Sequence, residues 1–128
     1  ERLYKRRKEI WERYHNELKD LPLILPPDPP AHIRHGHHLF TVLVDVARTA
    51  VTRDELMQRL HKMNIGTGVH YIALHLHPYY QSEYGYKNGD FPNAEFISER
   101  TLSLPFSARL TDEDITDVIT ALREILGA

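Results

Sequence analysis

The sequence has no cysteine among its 128 residues, so disulfide bonds and thiolate metal sites are excluded. No apolar run approaches the roughly 18 residues that span a bilayer, and no signal peptide is visible. The Gly66-Thr67-Gly68 stretch is too short for a dinucleotide-binding loop and lies at the entry to a predicted strand rather than before a helix. The formal net charge of −2 gives no broad attraction for nucleic acid or an anionic membrane. We therefore expect a cytoplasmic protein with no nucleic-acid or membrane partner.

The residues that are present have the balance of one folded domain, with 41% hydrophobic and 27% charged residues. The first residue is Glu1, and the spacing of apolar residues is already that of a helix at this point. We therefore expect residues 1–128 to be a single domain cut from a longer protein.

The apolar patterns predict an α+β fold, with a small, mostly antiparallel sheet and helices packed on one face. The predicted helices cover residues 1–21, the segment from Thr52 to a stop at 64–66, residues 92–101, and the segment that follows Thr111. The predicted strands cover 23–25, 37–46, 65–71 and 102–105, and 72–91 are predicted to be irregular. Thr52 with Glu55 has the spacing of a capping box. Lys5–Lys8 and Arg13 form a basic run, for which a solvated helix face is favoured over a phosphate site.

The stretch GVHYIALHLHPYY, residues 68–80, concentrates histidine and tyrosine. Histidine is the commonest metal ligand, but neither this cluster nor the one at 32–38 has the spacing of a defined zinc site. Ser82 and Ser98 lack the Gly-x-Ser-x-Gly context of a hydrolase nucleophile. A mixture of donors, acceptors and flat apolar faces is typical of sites for sugars or nucleobases. A small-molecule site and a plain wet surface both remain open from these residues alone.

Six segments occur in an order that marks a family. They are Arg7-x-x-Ile10 with Tyr14 and Leu18; Arg53–Leu56 with Leu60 and Ile65–Thr67; His70–His75; Gly89–Glu95; Ser98–Pro105; and Leu110–Asp114. Together they resemble the C-terminal domain of the DegT/DnrJ/EryC1/StrS family, the pyridoxal-phosphate-dependent sugar aminotransferases. The resemblance covers nearly the whole chain, and departs from the family at Ala73, usually proline, and Asn93, often valine.

This resemblance implies the small domain of a fold-type I aminotransferase. In the family, the lysine that forms the aldimine, the aspartate that pairs with the pyridinium nitrogen and the phosphate cup belong to a large domain upstream. None of the lysines here stands in the family's lysine motif; they are Lys5, Lys8, Lys19, Lys62 and Lys87. The resemblance therefore implies that the full-length protein is a homodimeric enzyme with pyridoxal phosphate. The isolated chain is expected to have no catalytic, cofactor-binding or metal-binding residue, and not to transaminate alone.

The resemblance also implies a role for this domain in shaping the substrate side of the cleft. The substrate would be a nucleotide-linked keto sugar, with an amino donor such as glutamate, in polysaccharide or lipopolysaccharide sugar biosynthesis. The residues predicted to bind substrate are His70, Tyr71, His75, Tyr79 and Tyr80. Three others, Glu95, Ser98 and Arg100, are predicted to fix helix 92–101 against its neighbours.

Two alternatives to this hypothesis are kept. One is a stand-alone ligand-binding or interaction module without catalysis, descended from such a domain. The other is a histidine-based metal sensor, which would bind zinc or nickel and release it when the pH falls through the histidine range.

Overall fold

The computed structural model describes residues 1–127, which contain five α-helices and a three-stranded sheet. The elements are α1 (Arg2–Leu18), β1 (Leu23–Ile24), β2 (Phe40–Val44), α2 (Arg53–Lys62), a 3-10 turn (Leu74–Leu76), α3 (Pro78–Tyr84), α4 (Pro92–Arg100), β3 (Thr101–Leu104) and α5 (Asp112–Leu126). Across these residues, every helix is too short or too polar to cross a lipid bilayer.

The sheet is antiparallel throughout, in the order β1-β2-β3. Leu23 lies opposite Val44, and Phe40 lies opposite Leu104. The predicted α+β fold with a small antiparallel sheet is confirmed. Val46, which lies within the predicted strand 37–46, is beyond the end of β2 and is exposed.

The core forms where one face of the sheet meets α1, α2 and α5. Alternation along β2 turns Phe40, Val42 and Val44 to this face, and all three are fully buried. The helices supply apolar stripes at 3.6-residue spacing. Their fully buried residues include Tyr14, Leu18, Leu56, Leu60, Ile115 and Leu122. The other face of the sheet carries Thr41 and Ser103, which are paired across β2 and β3, and it is therefore available for polar contacts.

The basic run of α1 joins this helix to α5 rather than facing solvent alone. Arg6 donates to the carboxylate of Asp112 and to the carbonyl oxygen of Leu110, at 2.8 and 2.9 Å. Arg13 donates to the hydroxyl of Thr116 at 2.8 Å. The interpretation of the run as a solvated face is therefore incomplete, because two of the basic residues of α1 hold the first helix against the last.

Capping boxes begin two of the helices. Thr52 caps α2 and Thr111 caps α5; each hydroxyl accepts from the backbone N–H three residues on, and the acid there returns a bond. The first of these boxes was predicted and is confirmed. In both, hydrogen bonds from the capping threonine lower the pKa of the acid, Glu55 or Asp114.

Two predictions between α2 and α4 are wrong. Residues 65–71 do not form a strand; only Gly68 pairs with the sheet, through a single bridge to Ser103. Residues 72–91, predicted to be irregular, contain the 3-10 turn and α3. Pro78 begins α3 at its first turn, and Gly85 ends it in the left-handed conformation, φ 69°. The intervening tyrosines have a low helix propensity, and no apolar stripe is present to signal the helix.

Candidate functional site

His70 is held on the polar face of the sheet. Its Nδ1 lies 2.7 Å from the hydroxyl oxygen of Ser103, which lies 3.2 Å from the hydroxyl oxygen of Thr41. Because Thr41 and Ser103 are paired across β2 and β3, the sheet itself fixes the direction of the imidazole. Among residues 1–127, Nε2 of His70 has no hydrogen-bond partner. The ring can therefore offer this nitrogen to a ligand.

Gly68 allows the imidazole of His70 to approach the backbone closely. Its N–H and carbonyl oxygen both bond with the backbone of Ser103, at 3.2 and 2.7 Å. A Cβ atom at position 68 would lie 2.9 Å from Cε1 of His70, which is closer than van der Waals contact permits. A side chain here would displace the imidazole, so the observed position of His70 requires glycine at position 68.

The chain after His70 is exposed and then anchored. The Tyr71 side chain is 75% exposed, with its ring edge-on to His70 at a centroid distance of 4.8 Å. Two residues later, the backbone N–H of buried Ala73 donates to the Ser98 hydroxyl at 2.8 Å. Ser98 thus ties α4 to this segment, as predicted. Arg100 does not, because its bonds go to Phe96 and Glu99 within α4.

His75 forms a buried pair with Glu95. The distance from Nε2 to Oε1 is 2.8 Å, and the residues are 6% and 7% exposed. The Glu95 carboxylate also accepts from the backbone N–H of Gly89, at 2.9 Å to each oxygen, and from that of Phe91 at 3.2 Å. Glu95 therefore fixes three things at once: the imidazole, the turn before α4 and the first turn of α4. This fits the structural role predicted for Glu95.

The same contacts keep the Glu95 carboxylate ionised. The backbone N–H of Gly89 is the largest influence lowering its pKa, and the His75 ring and the N–H of Phe91 add to it against the opposing effect of burial. A carboxylate accepts only, so Nε2 of His75 must carry the proton in this pair. When the imidazole is neutral, its Nδ1 is then an acceptor.

An aromatic cleft of about 380 Å³ opens beside this pair. The rings of Tyr80, Tyr84 and Tyr86 form a row, with neighbouring centroids 6.0 and 5.8 Å apart and interplanar angles of 23°. Phe91 closes one side, against both Tyr86 and His75. The lining consists of Leu74, His75, Tyr80, Tyr84, Tyr86, Phe91 and Ala94.

The structure thus places four of the five predicted substrate-binding residues in two groups and leaves Tyr79 outside both. His70 and Tyr71 lie at the polar face of the sheet, and His75 and Tyr80 line the aromatic cleft. Tyr79 is 62% exposed and packs edge-on against Tyr80 without lining the cleft.

Sequence reasoning missed four residues of these two places: Ser103, Tyr84, Tyr86 and Phe91. The alternation of β3 could have found Ser103, because it lies between Leu102 and Leu104 and so must face away from the core. No pattern marks the other three as neighbours, since Tyr84 lies in a helix that the sequence did not reveal and Tyr86 and Phe91 lie in the turn that follows it.

The second histidine cluster packs on Trp11. The Nδ1 atoms of His35 and His37 lie 3.1 Å apart, and both rings have centroids 5.1 Å from that of Trp11. His37 is only 3% exposed. Burial, with smaller contributions from the charges of His35 and Lys8, lowers the pKa of His37. Across residues 1–127, no three or more His, Asp or Glu side chains converge as metal ligands would.

The burial of His37 predicts that the folded chain becomes less stable as the pH falls. The pKa of His37 is lower in the folded chain than the ordinary 6.5, so the unfolded chain binds a proton more readily. The stabilisation from burying neutral His37 is complete above pH 6.5 and is lost as the pH falls through the lowered folded value. The urea midpoint should therefore fall more steeply between pH 7.5 and 5.5 in the wild type than in His37→Gln. Equal slopes would contradict the prediction. His32→Gln, which alters an exposed histidine, is the control.

Comparison with known proteins places the chain in a family. The profile of the DegT/DnrJ/EryC1/StrS aminotransferase family matches residues 1–123, and the chain belongs to this family. It is 44% identical over 125 residues to the spore coat polysaccharide biosynthesis protein SpsC of Bacillus subtilis, covering 97% of this chain and 32% of SpsC.

Solved structures agree with this assignment. S. venezuelae DesV, solved in complex with a ketimine intermediate, is 34% identical with a TM-score of 0.83, covering 96% of this chain and 32% of DesV. The aminotransferase TlmJ of Streptoalloteichus hindustanus is 32% identical with a TM-score of 0.80, covering 95% and 31%. The chain spans about a third of the length of the curated relatives that it matches.

The cofactor implied by the family is pyridoxal phosphate, and the residues described here do not fit its covalent site. All five lysines, Lys5, Lys8, Lys19, Lys62 and Lys87, are exposed, and none lines the aromatic cleft or bonds with His70. A lysine that forms an aldimine needs a sheltered position beside the groups that tune its pKa. No step of the reaction is therefore assigned to a residue of this part of the chain.

Proposed function

We propose that the chain is the small C-terminal domain of a pyridoxal-phosphate-dependent aminotransferase acting on a nucleotide-linked keto sugar. The full-length enzyme would be a cytoplasmic homodimer that takes its amino group from a donor such as glutamate, in the synthesis of polysaccharide or lipopolysaccharide sugars. The cofactor would supply the electron sink for transfer of the amino group. The third of the relatives' length that this chain spans is consistent with one domain of such an enzyme.

The observation that carries the proposal is the fixed orientation of His70 beside exposed Tyr71. Ser103 and the polar face of the sheet hold one imidazole nitrogen and leave Nε2 free. Hydroxyls and phosphate oxygens of a nucleotide sugar are suitable partners for this nitrogen and for the phenol of Tyr71. A ligand held at both would be positioned rather than activated, which is the contribution expected from a domain without the reacting lysine.

Replacing His70 tests this role in the full-length enzyme. His70→Ala should raise the KM for the nucleotide-linked keto sugar and lower kcat/KM about tenfold to a hundredfold, because one oriented hydrogen bond is lost. The KM for the amino donor should change less. His77→Ala is the matched control, because His77 lies in the same segment, is exposed, and has a side chain without a hydrogen-bond partner among residues 1–127.

Two results would count against the proposal. One is an unchanged kcat/KM in His70→Ala with the fold intact by circular dichroism. The other is a full-length protein that transfers no amino group to any nucleotide-linked keto sugar; the stand-alone binding module would then take its place.

A further inference from the structure

We propose that the aromatic cleft at His75 binds a planar heteroaromatic ring that carries an N–H donor, namely the base of the nucleotide carrier. The inference rests on the proposed function for the identity of the ligand, because a nucleotide-linked sugar brings such a ring. The cleft, its lining and the hydrogen bond between His75 and Glu95 are properties of this chain alone.

The row of tyrosines provides stacking surfaces for such a ring. Tyr80, Tyr84 and Tyr86 are nearly parallel to their neighbours in the row. Tyr84, in the middle, is 62% exposed, so a ligand in the cleft can contact it. Stacking on tyrosine accepts every base, because every base has a π-face. The remaining lining is largely apolar, with Leu74, Phe91 and Ala94.

His75 provides the polar contact that selects among flat ligands. The N–H at Nε2 of His75 donates to Glu95, so Nδ1 is an acceptor whenever the ring is neutral. Among residues 1–127, Nδ1 has no hydrogen-bond partner. Nor is it one of the fully buried side-chain atoms that lack a partner among the described residues, which are Nε of Arg7, Nε1 of Trp11 and Oγ1 of Thr101. Nδ1 is therefore accessible, and a ring N–H is the group that it would accept from.

The rigidity of the cleft favours binding as well. Glu95 holds the turn that ends at Phe91, and Phe91 packs on both His75 and Tyr86. One buried carboxylate thus fixes the histidine and the wall that faces it. A site that is already formed loses less conformational entropy when the ligand binds.

Uridine is the probe that tests the cleft without the sugar or the phosphates. Added to the ¹³C,¹⁵N-labelled 128-residue chain, it should shift the His75 Nδ1 resonance and the ring signals of Tyr84 and Tyr86, with a Kd in the roughly millimolar range. N3-methyluridine lacks the ring N–H donor and should bind about tenfold more weakly. Ribose, which has no base, should not bind at the cleft.

A pair of variants separates the cleft from a general surface effect. Tyr84→Leu removes an exposed ring but retains an apolar side chain, and it should weaken uridine binding about tenfold. Phe96→Leu changes an exposed aromatic residue of α4 that does not line the cleft, and should leave binding unchanged. Equal affinity for uridine and N3-methyluridine, or no shift at His75, would overturn the inference, as would unchanged binding in Tyr84→Leu.

A nucleotide sugar added to the same chain distinguishes the two proposals. Shifts at the His75 cleft with uridine, but none at His70 with the nucleotide sugar, would retain this inference and contradict the role proposed for His70. Shifts at His70 with the nucleotide sugar, but none at the cleft with either ligand, would support the role proposed for His70 and contradict this inference.

Discussion

Replacing Glu95 with alanine is expected to release His75 and the turn before α4 together. The carboxylate is the only described acceptor for the N–H of Gly89 and the side chain of His75, and it also accepts from Phe91. His75 is buried, so its N–H keeps the full cost of desolvation when the acceptor is removed. Amide hydrogen exchange at Gly89 and Phe91 should accelerate at least about tenfold, because these N–H groups then have no acceptor that protects them from exchange.

Two further substitutions on the same helix serve as controls for Glu95→Ala. Glu99→Ala, on the same helix, removes an exposed carboxylate that pairs only with adjacent Arg100, and should leave exchange unchanged. Glu95→Gln retains one acceptor oxygen but turns an N–H₂ group toward donors, so its exchange rates should lie between those of the wild type and Glu95→Ala. Wild-type exchange rates in Glu95→Ala would show that other contacts hold the turn.

Protonation of the same carboxylate should destabilise the turn at low pH. The pKa of Glu95 is lower in the folded chain than the ordinary 4.5, so the opened turn binds a proton more readily than the closed one. The stabilisation is therefore complete above pH 4.5 and is lost as the pH falls through the lowered folded value. The protection of the Gly89 amide, measured relative to an unprotected amide at the same pH, should fall in that range in the wild type. Glu95→Ala has no carboxylate to titrate at this position and should not show this loss.

Phe40→Ala is expected to lower the free energy of unfolding by about 4 kcal/mol. Phe40 is fully buried, and its ring centroid lies 4.9 Å from that of Trp11 and 5.1 Å from that of Tyr14. The truncation removes these aromatic contacts and leaves a cavity between α1 and the sheet. A loss of this size is a large part of the stability of a domain of this length.

Urea denaturation measures this loss, with the slope compared between variants to check that unfolding stays cooperative. Leu39→Ala is the matched control, because Leu39 precedes Phe40 in the chain but is 36% exposed; about 1 kcal/mol or less is expected there. A loss below about 2 kcal/mol in Phe40→Ala would mean that the core relaxes into the cavity.

The parts of the fold that sequence reasoning found are those that bury a regular stripe. The stripes of α1 and α5 and the alternation of β2 predict both the elements and the face that each one buries. The segment between α2 and α4 lacks such a stripe. α3 has no buried residue, so neither its existence nor its tyrosine row could be found from periodicity.

The candidate site was found by residue type and by family motifs, and its division into two places came from the structure. His70 and His75 lie five residues apart in the sequence, yet one is fixed by a strand serine and the other by a helix glutamate. These partners are 33 and 20 residues away from the histidines. Contacts at such separation depend on how the elements pack, and no local spacing encodes them.

The single bridge at Gly68 also bears on aggregation. A sheet whose outer strands expose unpaired N–H and carbonyl groups can add a strand from another molecule. Here β1 is two residues long and is flanked by Pro22 and Pro26, which have no N–H to donate. On the opposite side, Gly68 occupies both backbone groups of Ser103 at the centre of β3. The backbone contact that places His70 thus also leaves a second molecule little to pair with, protecting the sheet from intermolecular strand addition.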